Sequence, residues 1–438
     1  MQQRFTGNAR VNSDGPNPSR VSMSPPSTLA ADSGLAPVPA GERLSVLDAI
    51  RGVALGGILV ANLVSFFGVY WMSAETRLAM VGGTLGETVI FGMDWLIEGK
   101  FYSVFSILLG VGFAIQLQRA EARGQCRSQF GRFFRRRMAV LIVIGLVHLY
   151  AIWAGDILTL YGVMGLLLPT LSRGHGRVRL AVIILFLLTP LATHVLVYST
   201  EGRLDPRPPF AELGARVQER LDGERGRSSL ELFAADPRGY VAWNVGYAVA
   251  RPGTYLQGGR PAHVMGLFLI GAWLGVSLLP RLASLGRSLR ITAAVGAAIG
   301  LPASLVYAVI KLRHAQSGFM LSPEGLLQTA AYALGTTPLA LSYLALAVLA
   351  WRTGSGRRLL EWFVPLGRMA LTVYIGQSVI QLFIFTGWGL GLASKTPVAL
   401  LPLVATAILI VQRQACVWWL ARRGQGPLEW VWRRATYG

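Results

Sequence analysis

Long apolar runs recur along the whole chain, and few charged residues interrupt them. Of the 438 residues, 53% are hydrophobic and only 14% are charged, whereas soluble domains carry about 25% charged residues. A run of ~20 apolar residues is long enough to cross the ~30 Å of hydrocarbon in a bilayer. The sequence therefore predicts an all-α fold, a polytopic helical bundle integral to a membrane.

The apolar runs predict about ten transmembrane helices. They lie near residues 46–68, 100–118, 138–154, 156–172, 180–199, 262–279, 291–310, 327–350, 368–387 and 398–420. Grouped along the chain, they predict four regions. These are a disordered Ser- and Pro-rich tail at 1–40, a membrane half at 44–199, a long loop at 200–261 and a second membrane half at 262–438.

The positive charges gather in every second loop between the apolar runs, and the formal net charge is +20. Because basic loops stay in the cytoplasm, this pattern predicts that both termini lie inside and that loop 200–261 lies outside. Nucleic-acid binding is excluded as an explanation of the charge, because no surface module that mixes basic and aromatic residues accompanies it.

Residues 79–98 are mostly apolar but contain Glu87, Asp94 and Glu98. A full span would place three carboxylates in hydrocarbon, so an interfacial or re-entrant helix on the outer side costs less free energy. Loop 200–261 is open to two interpretations, a lid or substrate-binding surface and a structured linker.

The first span opens with the motif LDAIRGVALGGILVANL. Asp48 and Arg51 are one turn apart, and Asn62 lies on the Arg51 face about three turns deeper. Gly52 and Gly56 predict a close helix approach. Polar residues inside a span are candidate functional groups, because their burial must be compensated. The alternative is an interfacial ion pair with an asparagine that joins neighbouring helices.

The third span repeats this arrangement. His148 follows Arg137 by eleven residues, so a cytoplasmic arginine and a deeper polar group share one face. Asp156 comes next, near the outer surface, but an uninterrupted helix would turn it about 80° away from His148. Histidine suits proton transfer near neutral pH, and a carboxylate could orient it. Alternatively, His148 is a hydrogen-bonded core residue.

The ninth span carries four polar residues with helical spacing: Tyr374, Gln377, Ser378 and Gln381. This stripe predicts a helix face that is turned to the bundle interior or to a wet cavity. The alternative is hydrogen bonding between helices. Arginines at 132–137 could also hold phosphates of coenzyme A or lipid heads, although their topological role explains them.

Sequence motifs for common cofactor and metal sites are absent. The chain has no Walker loop, HExxH, GxSxG elbow or dinucleotide fingerprint. Its two cysteines, Cys126 and Cys416, form no disulfide framework or metal-ligand pattern. We expect no metal and no tightly bound cofactor.

Five segments, in order along the chain, resemble the YeiB-like family of bacterial inner-membrane proteins, catalogued as domain of unknown function 418. They are LDAIRGVALGGILVANL, KFYSVFSILLGVGFAIQLQRAEARG, GLVHLYAIWAGDILTLYGVMGLLL, GRMALTVYIGQSVIQLFIFTGWGLGL and GPLEWVWRRATYG. The resemblance runs from about residue 44 to the C-terminus and excludes most of loop 200–261. It implies a multi-pass protein of the bacterial cytoplasmic (inner) membrane.

The LDxxRG opening also resembles wider families of transmembrane acyltransferases, which pass an acyl group from a cytosolic donor to an acceptor. In acyltransferase-3 proteins a histidine lies deep in the first span, where this chain has Asn62. The heparan-α-glucosaminide N-acetyltransferase-like proteins carry asparagine there and a histidine further along, yet residues 63–100 contain no histidine. If this chain transfers acyl groups, His148 must supply the base.

Two functions therefore follow, with a non-catalytic membrane partner as a third. A membrane acyltransferase would use His148, oriented by Asp156, to deprotonate a hydroxyl or amine of a small molecule or glycan. The other candidate residues would stabilise the oxyanion or bind acceptor and acyl-CoA: Asn62, Tyr374, Gln377, Ser378, Gln381, Asp48, Arg51 and Arg137. A transporter or exporter of a small or amphipathic molecule would line its path with the same groups.

Overall fold

The structure is a computed structural model that describes residues 45–70, 81, 83–174, 176–223, 227–234, 236–277, 284–314 and 319–437. All regular structure in these ranges is helical, so the predicted all-α fold is confirmed. The predicted disordered tail lies outside the described residues. The α-helices are α1 (Ser45–Phe66), α2 (Thr84–Leu96), α3 (Lys100–Ala122), α4 (Arg127–Val147), α5 (Leu158–Leu171), α6 (Gly176–Ser199), α7 (Arg207–Asp222), α8 (Ser229–Ala234), α9 (Pro237–Gln257), α10 (Arg260–Ser277), α11 (Gly286–Arg313), α12 (Pro323–Trp351), α13 (Gly354–Glu361), α14 (Val364–Arg368), α15 (Ala370–Phe385), α16 (Leu401–Arg423) and α17 (Pro427–Tyr437).

Six helical segments among the described residues are long and apolar enough to cross a bilayer. They comprise α1, α2 with α3, α6, α11, α12, and α16 with the short helical turn before it. Helices α5 and α15 are apolar but shorter. Large aliphatic side chains such as Leu185 and Ile410 are exposed on these helices, as a hydrocarbon environment favours. The chain is therefore a multi-pass membrane protein.

Close packing around α1 depends on Gly52. A Cβ atom at this position would lie 2.2 Å from the carbonyl oxygen of Phe363, a distance that no side chain tolerates. At Gly56, a Cβ atom would lie 3.5 Å from Leu409, which is an ordinary contact. The predicted close approach is confirmed at Gly52, where α1 meets the start of α14. The packing at Gly56 is looser and would accept a Cβ atom.

Helix α2 occupies most of the ambiguous segment 79–98. It has 13 residues, and at 1.5 Å per residue it is ~20 Å long, too short to cross the hydrocarbon alone. Glu87 is exposed on it, whereas Asp94 is fully buried. A turn at Gly99, with φ of 81°, leads directly into α3.

The long segment 200–261 is itself helical and contains α7, α8 and α9. Helix α9 packs along α7 and also contacts the residues that join α4 to α5. Its start is defined by Asp236, whose carboxylate accepts the backbone N–H of Gly239 at 2.7 Å, a typical N-cap bond. The segment thus reaches the candidate site described next.

Candidate functional site

The chain reverses direction between α4 and α5. Helix α4 ends at Val147, residues His148–Ile152 form one π-helical turn, and Trp153 is extended. Helix α5 then begins at Leu158. π-Helical turns are rare and are frequent at functional sites. This reversal returns Asp156 to His148, which uninterrupted helical geometry could not do.

His148 is the centre of a buried hydrogen-bonded chain of three side chains. Its Nδ1 atom lies 2.9 Å from Asp156 Oδ1, and its Nε2 atom lies 3.0 Å from Ser378 Oγ. The side chains of His148 and Asp156 have no solvent exposure, and Ser378 is fully buried. We refer to His148, Asp156 and Ser378 as the triad.

Asp156 determines where the protons of the triad lie. Its carboxylate accepts the backbone N–H groups of Leu158 at 3.0 Å and Thr159 at 2.7 Å, at a helix N-terminus that favours an anion. A carboxylate has no proton to donate, so the Nδ1–H of His148 donates to it. When the ring is neutral, its Nε2 atom is an acceptor and the Ser378 hydroxyl donates to it.

The polar stripe of the ninth predicted span lies on α15 and is buried, as its spacing predicts. The ring centroids of Tyr374 and His148 are 5.2 Å apart. The Gln377 amide donates to the carbonyl oxygen of Leu55 at 3.3 Å, and the Gln381 amide donates to the carbonyl of Gln377 at 3.0 Å. The stripe therefore supplies Ser378 to the triad, places Tyr374 beside His148, and bonds α1 through Gln377.

Two amide oxygens of this stripe are buried without a hydrogen-bond partner among the described residues. They are Gln377 Oε1 and Gln381 Oε1. A buried acceptor that lacks a partner costs roughly 1–3 kcal/mol. Such oxygens would be satisfied by a donor group brought by a ligand, for example a hydroxyl or an amine.

Helix α9 holds the π-helical turn in place. The Asn244 amide donates to the carbonyls of Leu149 at 3.0 Å and Tyr150 at 3.1 Å, and its oxygen accepts the Ala154 N–H at 2.6 Å. Tyr240 donates to the Ile152 carbonyl at 2.6 Å. These bonds satisfy backbone groups that the turn leaves without intrahelical partners.

A further bond from α9 reaches the triad residue itself. The Tyr255 hydroxyl donates to the Asp156 carbonyl oxygen at 2.6 Å. The positioning residues Tyr240, Asn244 and Tyr255 were not predicted individually. The aromatic composition of 240–257 (YVAWNVGYAVARPGTYLQ) was the only sequence signal for them.

Arginines gather at the α1, α4 and α17 contact. Arg51 forms the predicted ion pair with Asp48 at 2.7 Å. Arg137 bonds to Gln116 at 3.4 Å, and its guanidinium lies 4.0 Å from the ring centroid of Trp432.

Arg51 and Arg137 both reach α3, at Gly112 and Gln116. Arg433 follows Trp432 in α17 and donates to Gln425 at 2.9 Å. These three arginines, which we call the arginine site, come from α1, α4 and α17. Arg433 was missed in the sequence because it was read only as part of a basic terminal segment.

Asn62 is half-buried on α1, and none of the hydrogen bonds of the triad involves it. The residue of α1 that contacts the polar stripe is Leu55, through its carbonyl. A role for Asn62 in binding or catalysis stays a prediction.

Helix α17 also completes α15. The Glu429 carboxylate accepts the backbone N–H groups of Leu371 at 2.7 Å and Thr372 at 3.2 Å, together with the Thr372 hydroxyl at 2.6 Å. These are N–H groups of the first turn of α15, which have no intrahelical acceptor. The terminal motif GPLEWVWRRATYG therefore supports the helix that carries Ser378.

A second buried polar cluster joins α2, α3 and α11. Lys311 donates to Asp94 Oδ1 at 2.8 Å and also bonds Glu98, while Lys100 donates to the Asp94 backbone carbonyl at 2.9 Å. We call Asp94, Glu98, Lys100 and Lys311 the lysine cluster. It compensates two of the three carboxylates that made 79–98 ambiguous, Asp94 and Glu98, while Glu87 is exposed. The sequence signal was the scarcity of lysine, since Lys395 is the third and last in the chain.

Comparison with known proteins gives the relationships of the chain. The family model described as "Protein of unknown function (DUF418)" matches residues 277–438. The uncharacterized protein YxaH of Bacillus subtilis is 27% identical over 426 residues, which are 92% of this chain and 97% of that protein. The uncharacterized protein YeiB of Escherichia coli is 27% identical over 414 residues, 90% of this chain and 96% of that protein. Residues 277–438 therefore match the DUF418 family model, and nearly the whole chain is similar to YxaH and YeiB.

Proposed function

We propose that this protein is a membrane-embedded acyltransferase that moves an acyl group from a cytosolic acyl-CoA to a hydroxyl or amine acceptor. The observation that carries the proposal is the geometry of His148. Its Nδ1–H is bound to a carboxylate and its Nε2 lone pair faces a hydroxyl. A histidine held in this way is a general base aimed at the proton of an O–H group.

The arginine site supports the donor half of the proposal. Arg51 and Arg137 reach one face of α3, at Gly112 and Gln116, and Arg51 also pairs with Asp48. Arg433 follows Trp432, whose ring Arg137 contacts. Guanidinium groups bind phosphates through paired hydrogen bonds. Leu55 follows Arg51 by one helical turn, ~6 Å, and contacts the polar stripe. A donor with its phosphates at the arginines would extend along α1 toward the triad.

The glutamine oxygens support the acceptor half. Gln377 Oε1 and Gln381 Oε1 are oriented within the bundle and have no partner among the described residues. An acceptor hydroxyl or amine would donate to one of them while it approaches the triad. This arrangement would favour acceptors that carry several donor groups, such as sugars and other polyols, over purely apolar alcohols.

The proposal places the protein in the bacterial inner membrane, with about ten crossings and both termini inside. The basic segments 119–137, 352–358 and 422–434 would face the cytoplasm. The arginine site would then open on the side where acyl-CoA is found. Segment 200–261 would lie outside, with α9 over the triad.

The proposal is tested with the purified chain in lipid nanodiscs. Short-chain acyl-CoA and candidate acceptors are added, and release of free CoA is measured together with acyl transfer to the acceptor. We expect turnover that His148→Ala lowers by at least about 100-fold, as general-base removal does. A matched control is His194→Ala on α6. The His194 imidazole is hydrogen-bonded to Thr329 at 2.6 Å and not to the triad. Absence of both turnover and donor binding with every acyl-CoA would refute the proposal.

Transport is the second candidate, and the lysine cluster favours it. Buried ionisable groups between membrane helices mark many ion and substrate pathways, and Lys311 and Asp94 are such groups. The test is uptake of a labelled solute into proteoliposomes. Uptake by the wild type that is lost in Lys311→Met, with no CoA release by the wild type, would favour transport over acyl transfer.

A further inference from the structure

Ser378 bonds an imidazole, whereas Ser103, Ser106 and Ser342 donate to backbone carbonyls. Serines in membrane helices usually donate to the carbonyl one turn earlier in their own helix. Ser103 and Ser106 do so, bonding Gly99 at 2.6 Å and Tyr102 at 2.8 Å. Ser378 instead reaches across to His148 Nε2 on another segment.

The bonds around His148 determine the direction of proton transfer. Nδ1–H is committed to Asp156, so the free lone pair is on Nε2, 3.0 Å from Ser378 Oγ. When the hydroxyl proton moves to Nε2, the resulting imidazolium is stabilised by the Asp156 carboxylate beside it. The oxygen left behind on Ser378 is a nucleophile.

We propose that Ser378 is the nucleophile of a two-step transfer and carries the acyl group as an ester. This inference rests on the proposed acyltransferase function and adds a covalent intermediate to it. Nucleophile, base and orienting carboxylate are within hydrogen-bond distance in the order that such catalysis requires. They come from α15, the π-helical turn and the segment before α5.

The first step forms the Ser378 ester and releases CoA. Ser378 Oγ attacks the thioester carbonyl carbon, its proton passes to His148 Nε2, and the new C–O bond replaces the C–S bond. The proton on Nε2 then goes to the CoA thiolate, which leaves as a thiol. In the second step, an acceptor O–H or N–H loses its proton to Nε2, attacks the ester, and the Ser378 oxygen takes that proton back.

Burial of the triad explains why an ester at this position would survive. His148 and Ser378 are fully buried, as is the side chain of Asp156, so water has poor access to the ester carbonyl in this conformation. Hydrolysis of the ester would therefore be slow, and the ester would persist until an acceptor binds. An exposed serine ester next to a histidine would be hydrolysed instead.

The test uses the full chain in nanodiscs with acetyl-CoA and no acceptor. Two readouts are taken: the mass of the peptide that contains Ser378, and exchange of label between free CoA and acetyl-CoA. We expect one acetyl group on Ser378 and exchange without acceptor. Ser378→Ala should remove the adduct and lower exchange at least about a thousandfold. Ser378→Cys should retain an adduct, now a thioester that hydroxylamine cleaves.

The matched control is Ser342→Ala on α12, which removes another fully buried serine hydroxyl, one that donates to the Ala293 carbonyl at 2.8 Å. It should keep both adduct and exchange. Turnover that depends on His148 but leaves no adduct and persists in Ser378→Ala would mean direct transfer, which overturns this inference and leaves the acyltransferase proposal standing. Absence of turnover, exchange and adduct in the wild type would overturn both.

Discussion

At the scale of single residues, the lysine cluster shows how charge is tolerated inside this bundle. Lys311 has 3% of its side chain exposed and bonds two carboxylates, Asp94 and Glu98. Removing one partner of a buried ion pair leaves an uncompensated charge, and the cost is roughly 3–5 kcal/mol. We expect Lys311→Met to lower the free energy of unfolding in detergent by about that amount.

The control for this prediction is Lys395→Met, which removes an exposed lysine and should change stability by less than about 0.5 kcal/mol. Adding Glu98→Gln to Lys311→Met should recover part of the loss, because one carboxylate, Asp94, and one ammonium, Lys100, then remain in the cluster. Equal stability of Lys311→Met and the wild type would contradict the ion-pair interpretation.

Residue types were predictable here, whereas their partners were not. His148, Tyr374 and Gln377 stood out because each is polar within an apolar run. The bond between His148 and Ser378 joins residues 230 positions apart, and no local pattern encodes such a pairing. The Asp48–Arg51 ion pair was predictable because both residues lie within one turn.

At the scale of elements, the π-helical turn depends on α9. Asn244 supplies three hydrogen bonds to backbone groups of residues 149–154. Asn244→Ala would leave buried carbonyls and an N–H without partners, at roughly 1–3 kcal/mol for each group left unsatisfied. We expect faster hydrogen exchange in the peptide that spans residues 147–158, and lower turnover because His148 loses its fixed position.

Exchange in α11 and α12 should not change in this variant, since these helices pack mainly on each other and on α2, α3 and α6. Asn62→Ala serves as the matched control, because it removes an asparagine outside the network that holds the turn. It should leave exchange at residues 147–158 as in the wild type. If hydrogen exchange at residues 147–158 were as slow in Asn244→Ala as in the wild type, α9 would not be what holds the turn.

The contact between Asp156 and His148 illustrates why this element escaped prediction. A helix with 3.6 residues per turn places the two residues about 80° apart, and the π-helical turn breaks that periodicity. Neither Gly155 nor any other residue of the segment signals a π-helical turn by its type. The backbone bonds from α9, nearly 90 residues later in the chain, stabilise it.

At the scale of the whole molecule, the two native cysteines provide a test of orientation. Cys126 is exposed between α3 and α4, and Cys416 is buried. With the segment 119–137 inside, a membrane-impermeant maleimide should label Cys126 in inverted vesicles and leave it unlabelled in intact spheroplasts. Cys126→Ser should abolish labelling in both preparations.

The opposite side is probed by Arg203→Cys in the Cys126→Ser background, since the Arg203 side chain is 82% exposed. Labelling should then occur in intact spheroplasts, because three predicted spans separate the two positions. Labelling of both cysteines from one side would overturn the predicted orientation.

The all-α fold class and the membrane character were predictable from composition, because hydrocarbon imposes apolar surfaces. The helices within segment 200–261, α9 among them, needed the structure.

The lysine cluster also has a consequence for how the protein is made. Asp94 and its cation Lys311 are 217 residues apart. At a synthesis rate of about 5–20 residues per second, roughly 10–40 s pass between their emergence from the ribosome. During that interval α2 has no Lys311 to join, so its carboxylates favour the lipid headgroup region. We therefore expect insertion of α2 to its final depth to follow that of α11.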